Sequence, residues 1–374
     1  MKKNNLNLRA MATIVACLAA TSLFWNCSQN NEDDNEDAPV VEGQITMTTQ
    51  ANEVHLEMQG SGTMAINWGD GESTTHTLSS NYSYYGHDYS GGNAHTITIT
   101  GEHITYLNCL DSQLTALNVS GATALTYLEC WNNQLTALDV SKNTKLTYLA
   151  CGGNLTTLDV SKNTALKYLN CSHNQLTALD VSKNTALTEL ICIGNQLTTL
   201  DVSKNTALTD LWCEWTQLTA LNVSGCAALT HLACVNNEQL TTLDVSGATA
   251  LTYLACVNNE QLTTLDVSKN TKLEGLVCRH NQLTALDVSK NTALTWLECS
   301  SNQLTALDVS KNTALTWLEC WNNQLTANAL NALFGTLHNN GGEILIGGNP
   351  GTATCDISIA ENKGWYVRYY YGKS

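Results

Sequence analysis

The sequence predicts a mainly β protein: a solenoid of about 11 coils, preceded by a small β-sandwich-like domain and closed by an α/β cap. Three observations predict it. Cysteines recur at 109, 130, 151, 171, 192, 213, 234, 256, 278, 299 and 320, at spacings of 20 to 22 residues. The composition is skewed in the same sense, with 2 prolines and 2 phenylalanines in 374 residues, as expected where one short unit is copied many times. Strand-like runs fill residues 41–103, and after Leu325 the repeat gives way to helical spacing.

The chain opens with a basic stretch, Lys2, Lys3 and Arg9, followed by an apolar run over residues 10–25. That run is short for a membrane span and suits an export signal. Cys27 comes next, then an acidic segment containing Glu32, Asp33, Asp34, Glu36 and Asp37, which has no means of packing. An apolar segment, a cysteine and an acidic tether together resemble a bacterial lipoprotein signal. The resemblance implies cleavage after residue 26, lipidation of Cys27, and an exported outer-membrane lipoprotein displayed at the cell surface. Trp25 and Asn26 depart from the small residues usual before that cysteine. Cys17 follows smaller residues but is succeeded by more apolar chain, so Cys27 is the chosen site. The alternative is a secreted protein with a plain linker. No later segment is apolar for long enough to span a bilayer, so any membrane attachment is expected through the lipid alone.

Formal net charge is −16, and without residues 1–26 the chain keeps 14 basic against 33 acidic residues. Such a balance excludes nucleic acid as a partner, because phosphate binding needs clustered Lys and Arg. It also favours a soluble, self-repelling monomer.

Residues 41–103 are expected to hold strands at 44–49, 53–59, 64–68, 73–78 and 95–100. Asn67-Trp68-Gly69-Asp70-Gly71 lies among them, with His87-Asp88-Tyr89 before the last strand. This combination resembles a PKD-type immunoglobulin-like domain, here short enough to serve as the N-terminal cap that a solenoid needs. Asp70 is read as a turn residue.

Residues 104–325 carry the repeat. Leu125, Leu128, Cys130, Asn133 and Leu135 fit L-x-x-L-x-L-x-x-N-x-L, with cysteine in the third apolar slot. One copy is shortened, Asn154 meeting Leu155 directly, and two are lengthened by Glu238-Gln239 and Glu260-Gln261. The pattern resembles the leucine-rich repeat family, in a compact bacterial variant with L-D-V-S-x-N-T. Alternation along each short strand places Leu128 and Cys130 inward, and Tyr127, Glu129 and Trp131 outward. The return segment supplies inward Leu138 and Val140 and turn-forming Asp139, Ser141 and Asn143. The Asn133 column is expected to be buried and bonded to loop backbone. Residues 326–374 form the C-terminal cap, with helices at 328–337 and 355–360 and strands at 343–346 and 366–370.

Chemical readings of the repeat are weak. Parallel in-register strands hold neighbouring cysteine Cβ atoms about 4.8 Å apart, beyond the roughly 3.8 Å a disulfide wants. No C-x-x-C pair marks a metal site, so the column is read as core. The Asp139 column lacks calcium-loop spacing and is read as turn chemistry. Nucleophile and phosphate-loop motifs are absent, so neither an enzyme nor a cofactor is expected.

Outward strand positions, by contrast, vary freely while the rest of the repeat hardly changes. Three places before each cysteine stand Tyr106, Tyr127, Tyr148, Tyr168, Glu189, Asp210, His231, Tyr253, Gly275, Trp296 and Trp317. Candidate partner-binding residues are Tyr127, Glu129, Trp131, Tyr148, Tyr168, Trp212, Trp215, Tyr253, Trp296, Glu298, Trp317, Glu319 and Trp321. Exposed aromatics of this kind build contact surfaces, although the tyrosines equally suit a stabilising ladder. Resemblance to bacterial adhesins and internalin-like binders implies a protein partner held on a concave strand face. A glycan is the alternative, and an envelope spacer without a ligand the third reading.

Overall fold

The computed structural model describes residues 42–369; the expected signal segment, Cys27 and the expected acidic tether lie outside the described residues. Seven strands begin it: β1 (Gln44–Thr49), β2 (Glu53–Asn67), β3 (Ser73–Leu78), β4 (Ser83–Asp88), β5 (His95–Thr100), β6 (His103–Asn108) and β7 (Leu114–Asn118). Where the sequence suggested two strands, β2 is one strand of 15 residues. Its first half pairs with β4 and β6, its second with β3 and β5. The crossing lies at Gly60-Ser61-Gly62, where the pairing with β6 shifts register and Gly62 has φ 84°. A Cβ on Gly60 would stand 2.1 Å from the His103 carbonyl oxygen, so only glycine lets the strand change sheets there. The polar glycine-serine stretch that read as a break is the corner of the sandwich.

β6 is both a strand of that domain and the first coil, and β7 returns to pair antiparallel with β1. β6 runs antiparallel to β2 and parallel to the next coil strand, Tyr127–Glu129. Parallel pairing then continues without interruption to Trp317–Glu319, and two further strands, Gly342–Leu345 and Trp365–Arg368, extend it. The sheet therefore holds more parallel strands than the cysteines count, because the cap supplies two coils with Ile346, fully buried, in the cysteine slot of the first. One end of the sheet is thus sealed by an antiparallel domain, which removes an exposed edge that would template aggregation.

The cap's first helix, α1 (Ala327–Thr336), starts where Thr326 accepts a hydrogen bond from the Ala329 N–H and buries Leu330, Leu333 and Phe334. The second, α2 (Ser358–Glu361), is a single turn, shorter than the sequence suggested. Among the described residues no helix is long and apolar enough to cross a membrane.

Inside each coil, residues of the Leu125, Leu128, Cys130, Leu135 and Val140 types are buried, and one continuous core runs from the N-terminal domain to the cap. Two asparagine columns stitch the coils together. In the first, Asn174 donates from Nδ2 to the carbonyls of Cys151 and Cys171 at 2.9 and 3.0 Å, and accepts from the Leu155 N–H at 3.0 Å. The shortened copy leaves this column: Asn154 is exposed and takes the place of Gln134 in the bonding register, its N–H reaching the Leu135 carbonyl. The second column was read from sequence as turn residues, yet Asn143, Asn163, Asn184, Asn205, Asn270, Asn291 and Asn312 are buried. Asn184 donates to the Val160 and Asn163 carbonyls at 3.0 and 2.9 Å. In one coil Cys226 stands in that slot, its thiol 3.2 Å from the Val202 carbonyl oxygen.

Candidate functional site

The eleven ladder cysteines are buried free thiols. Several lean on the next coil, Cys299 Sγ lying 3.3 Å from the Glu319 carbonyl oxygen. Burial pushes the Cys171 and Cys320 thiols up to about 12, which leaves them protonated and unreactive. On the return side each Asp accepts a backbone N–H two residues on, as Asp180 does from Ser182 at 2.8 Å. That bond holds the Asp180 carboxyl below its ordinary value.

Variation is concentrated on the outward strand face and the turn that follows it, where the structure separates the candidates into several groups. At the N-terminal end Tyr106, Tyr127, Tyr148 and Tyr168 stack in sequence, with centroids 4.2, 4.0 and 4.3 Å apart and planes within 17°. Tyr127 donates to Glu129 at 2.7 Å. Trp131 lies across Gly152, where a Cβ would come within 2.4 Å of the indole, and its edge meets His173. This end is a closed ladder, each ring covering the next.

In the middle, Trp212 is half-buried against a second apolar cluster of Ala233, Ala255, Val257 and Val277, which Tyr253 flanks. Trp215 is not part of that patch. It sits two places after its cysteine, at the turn where the chain leaves the strand, with φ 53° and 64% exposure. The same turn position is left-handed in other coils, held by Asn132, His173, Asn236, Asn258, His280, Ser301 and Asn322. A tryptophan there is costly, since bulky residues disfavour that conformation. Trp215 lines a different cleft, with Asn195, Asn236 and Glu238.

Towards the C-terminus Trp296 and Trp317 stack at 5.2 Å. Their acids were expected to be outward contact groups, but Glu298 is 7% exposed and Glu319 is fully buried. Trp296 donates from Nε1 to Glu298 at 2.8 Å, and Trp317 and Trp321 donate to Glu319 at 2.9 and 3.2 Å. The long indoles fold over the shorter carboxylates, so these acids hold the rings in place. Burial, then the neighbouring Glu319, raises the Glu298 carboxyl, which also lies 3.4 Å from Arg279.

The fourth group was not singled out from sequence. Gly275 breaks the aromatic column, pairing with Tyr253 on one side and Trp296 on the other. A cleft of about 440 Å³ opens there, lined by His231, Tyr253, Glu274, Gly275, Val277, Trp296 and Glu298 among others. The available signal was a single glycine in a column otherwise held by large or charged side chains. Among the described residues no cluster of His, Cys, Asp or Glu has a metal-binding arrangement.

Solved structures give the geometry its context. The functional domain of InlJ from Listeria monocytogenes, described as including a cysteine ladder, is 39% identical, with a TM-score of 0.56 over 73% of this chain. The fold is an internalin-like leucine-rich repeat solenoid. This solenoid spans 55% of the length of that InlJ structure. An internalin from the same organism, InlF, is 25% identical with a TM-score of 0.58, over 71% of this chain and 79% of that one. A complex of Latrophilin 3, Unc5D and the leucine-rich repeats of FLRT2 matches at 18% identity and a TM-score of 0.55, over 71% of this chain and 90% of that one, and shows the fold alone. No protein-family model and no curated protein matches this leucine-rich repeat chain.

Proposed function

We propose that this leucine-rich repeat solenoid is a surface-displayed binding module that holds a protein partner on its concave strand face, and has no catalytic role. One observation carries the reading. The return segments and core columns barely change from coil to coil, whereas the strand face changes at every coil and gathers Tyr, Trp and acidic groups on one continuous sheet. Rigid aromatics on a preformed surface bind at low entropic cost, and charged neighbours tune the choice of partner. Tyr253, Trp296, Trp317 and Trp321 are the main contact residues in this reading, with Trp212, Tyr127, Tyr148, Tyr168 and Trp131 as lateral surface. Glu129, Glu298 and Glu319 position rings, and Trp215 extends the contact to the loop edge. The N-terminal sandwich, PKD-like in its sequence, serves as the cap.

Residues 1–26 are a lipoprotein signal and Cys27 the lipidated anchor in the same proposal, with residues 27–40 as the tether. Acyl labelling of the expressed protein tests the anchor, and labelling retained in Cys27→Ala would sink it. The face is tested with the double variant Trp296→Ala, Trp317→Ala on an array of purified surface proteins and on a glycan array. Protein binding lost in the variant supports the proposal; glycan binding lost in the variant, without protein binding, refutes it in favour of a sugar.

A further inference from the structure

The cleft at Gly275 opens where the outward column, aromatic at Tyr253 on one side and at Trp296 and Trp317 on the other, carries no side chain. Trp296 forms one wall. Its indole is backed by Trp317 at 5.2 Å and pinned through Nε1 to Glu298 at 2.8 Å, so the wall is rigid before anything binds. The column holds no ring at Gly275, so the Trp296 face on that side is uncovered. Tyr253 forms the other wall: its ring leans towards Gly275, with Cδ2 2.9 Å from where a Cβ would be. Val277 contributes an apolar floor, buried at 7% exposure.

The rim carries the opposite character. Glu274 is exposed and Glu298 closes the far side. Along the same strand face lie Glu189, Asp210, Glu214 and Glu319, against a single guanidinium, Arg279, which is engaged with Glu298 at 3.4 Å, and His231, which is engaged with Asp210 at 3.2 Å. Aromatic faces attract a cation through their quadrupole, most strongly where water is partly excluded, and adjacent carboxylates add a charge-assisted partner. A neutral apolar side chain would use the walls but not the exposed Glu274 carboxylate at the rim. A carboxylate would be repelled.

We infer that this cleft is a slot for one lysine or arginine side chain of an extended basic segment on the partner protein. The inference rests on the strand-face reading and adds the chemistry of the ligand to it. The segment lies across the strands, its basic side chain inserts between Tyr253 and Trp296, and its charged end reaches Glu274 or Glu298.

Gly275→Tyr is the decisive variant. The same column carries tyrosine at 106, 127, 148, 168 and 253, and Gly275 does not have positive φ, so the backbone conformation admits a side chain once the Tyr253 ring, 2.9 Å from the added Cβ, swings aside. The new ring would extend the stack and close the cleft without altering net charge, which separates slot binding from bulk attraction to an acidic protein. A random dodecapeptide display library is selected on the full chain at 150 mM salt, and recovered peptides are resynthesised for affinity measurement. Recovered binders are expected to share a Lys or Arg at one recurrent position. Replacing it by norleucine, Gly275→Tyr, and Trp296→Ala are each expected to weaken binding at least tenfold, with the Gly275→Tyr protein still folded by circular dichroism. Binders without a recurrent basic residue, equal binding to Gly275→Tyr, or no binder tighter than about 100 μM each overturn the slot. Oligosaccharide binding lost in Gly275→Tyr overturns it in favour of a sugar. Peptides that depend on Trp131 or Tyr148 but not on Gly275 overturn the slot and leave the strand-face reading standing, whereas binders indifferent to every strand-face substitution overturn both.

Discussion

Replacing Glu319 by alanine tests whether the buried acids organise the tryptophans. The Glu319 carboxylate accepts Nε1–H from Trp317 at 2.9 Å and from Trp321 at 3.2 Å, and it is fully buried. A hydrogen bond to a charged group contributes roughly 1.5–3 kcal/mol. Both indoles are only half-buried, so each N–H regains some water when the carboxylate is gone, and the net loss is about 2–4 kcal/mol. An opposing effect is present, since a buried carboxylate carries a desolvation penalty that its removal relieves. Two short bonds to one carboxylate are expected to outweigh that relief. Solenoid stability is a sum over neighbouring coils, so the loss is local rather than global. Hydrogen exchange is the suitable assay. Amides of Trp317–Glu319 and Gly342–Leu345, which pair with one another, are expected to exchange about 30- to 700-fold faster. Those of Tyr148–Ala150, eight coils away in the sheet, are expected to be unchanged. Glu319→Gln keeps one acceptor oxygen and recovers part of the protection. Equal or slower exchange in Glu319→Ala, with unchanged tryptophan emission, would show that desolvation dominates and that the acid does not hold the rings.

Three further outcomes are expected. Asn184→Ala costs about 1–2 kcal/mol and Leu190→Ala about 2–5 kcal/mol in denaturant titration, because the carbonyls that Asn184 bridges also accept a backbone N–H and its own Oδ1 has no partner; a larger loss for Asn184→Ala would contradict this. Ellman's reagent at pH 8 is expected to titrate the half-buried Cys355 in the folded protein and to reach the ladder thiols only in guanidinium, whereas a ladder thiol reacting as fast as Cys355 would show that the column is accessible. Glu298→Gln is expected to stabilise the protein at neutral pH. The folded carboxyl is raised by burial, so the native state favours its neutral form: this contribution is favourable below the unfolded value and is lost as pH rises through the folded one. The gain should therefore vanish below about pH 4, and a gain that persists unchanged to pH 3 would refute it.

Much of the fold was legible because one unit is written many times. The cysteine period located the coil strands, and alternation around Cys130 put Leu128 inward and Tyr127 outward, as the structure has them. What escaped was mostly a matter of side-chain reach. Strand alternation marked Glu298 and Glu319 as outward, and nothing in residue type says that a longer indole will cover them. Asn143 read as a turn residue because asparagine favours turns; its presence in all but one of the L-D-V-S segments was the clue to a buried bridge. The long β2 strand was hidden because Gly60, Ser61 and Gly62 look like a break when they are a corner between sheets. The Gly275 cleft was legible only as an absence, the single position in the column with no side chain.

The strand-face claim is tested most directly by footprinting. The tightest protein ligand recovered from the array is added, and amide exchange is followed along the whole chain. Protection is predicted on the coil strands from Asp210–Trp212 to Trp317–Glu319, with none on the return strands Thr199–Asp201 and Ala220–Asn222. Protection centred on those return strands, with the coil strands exchanging as in the free protein, would contradict the account.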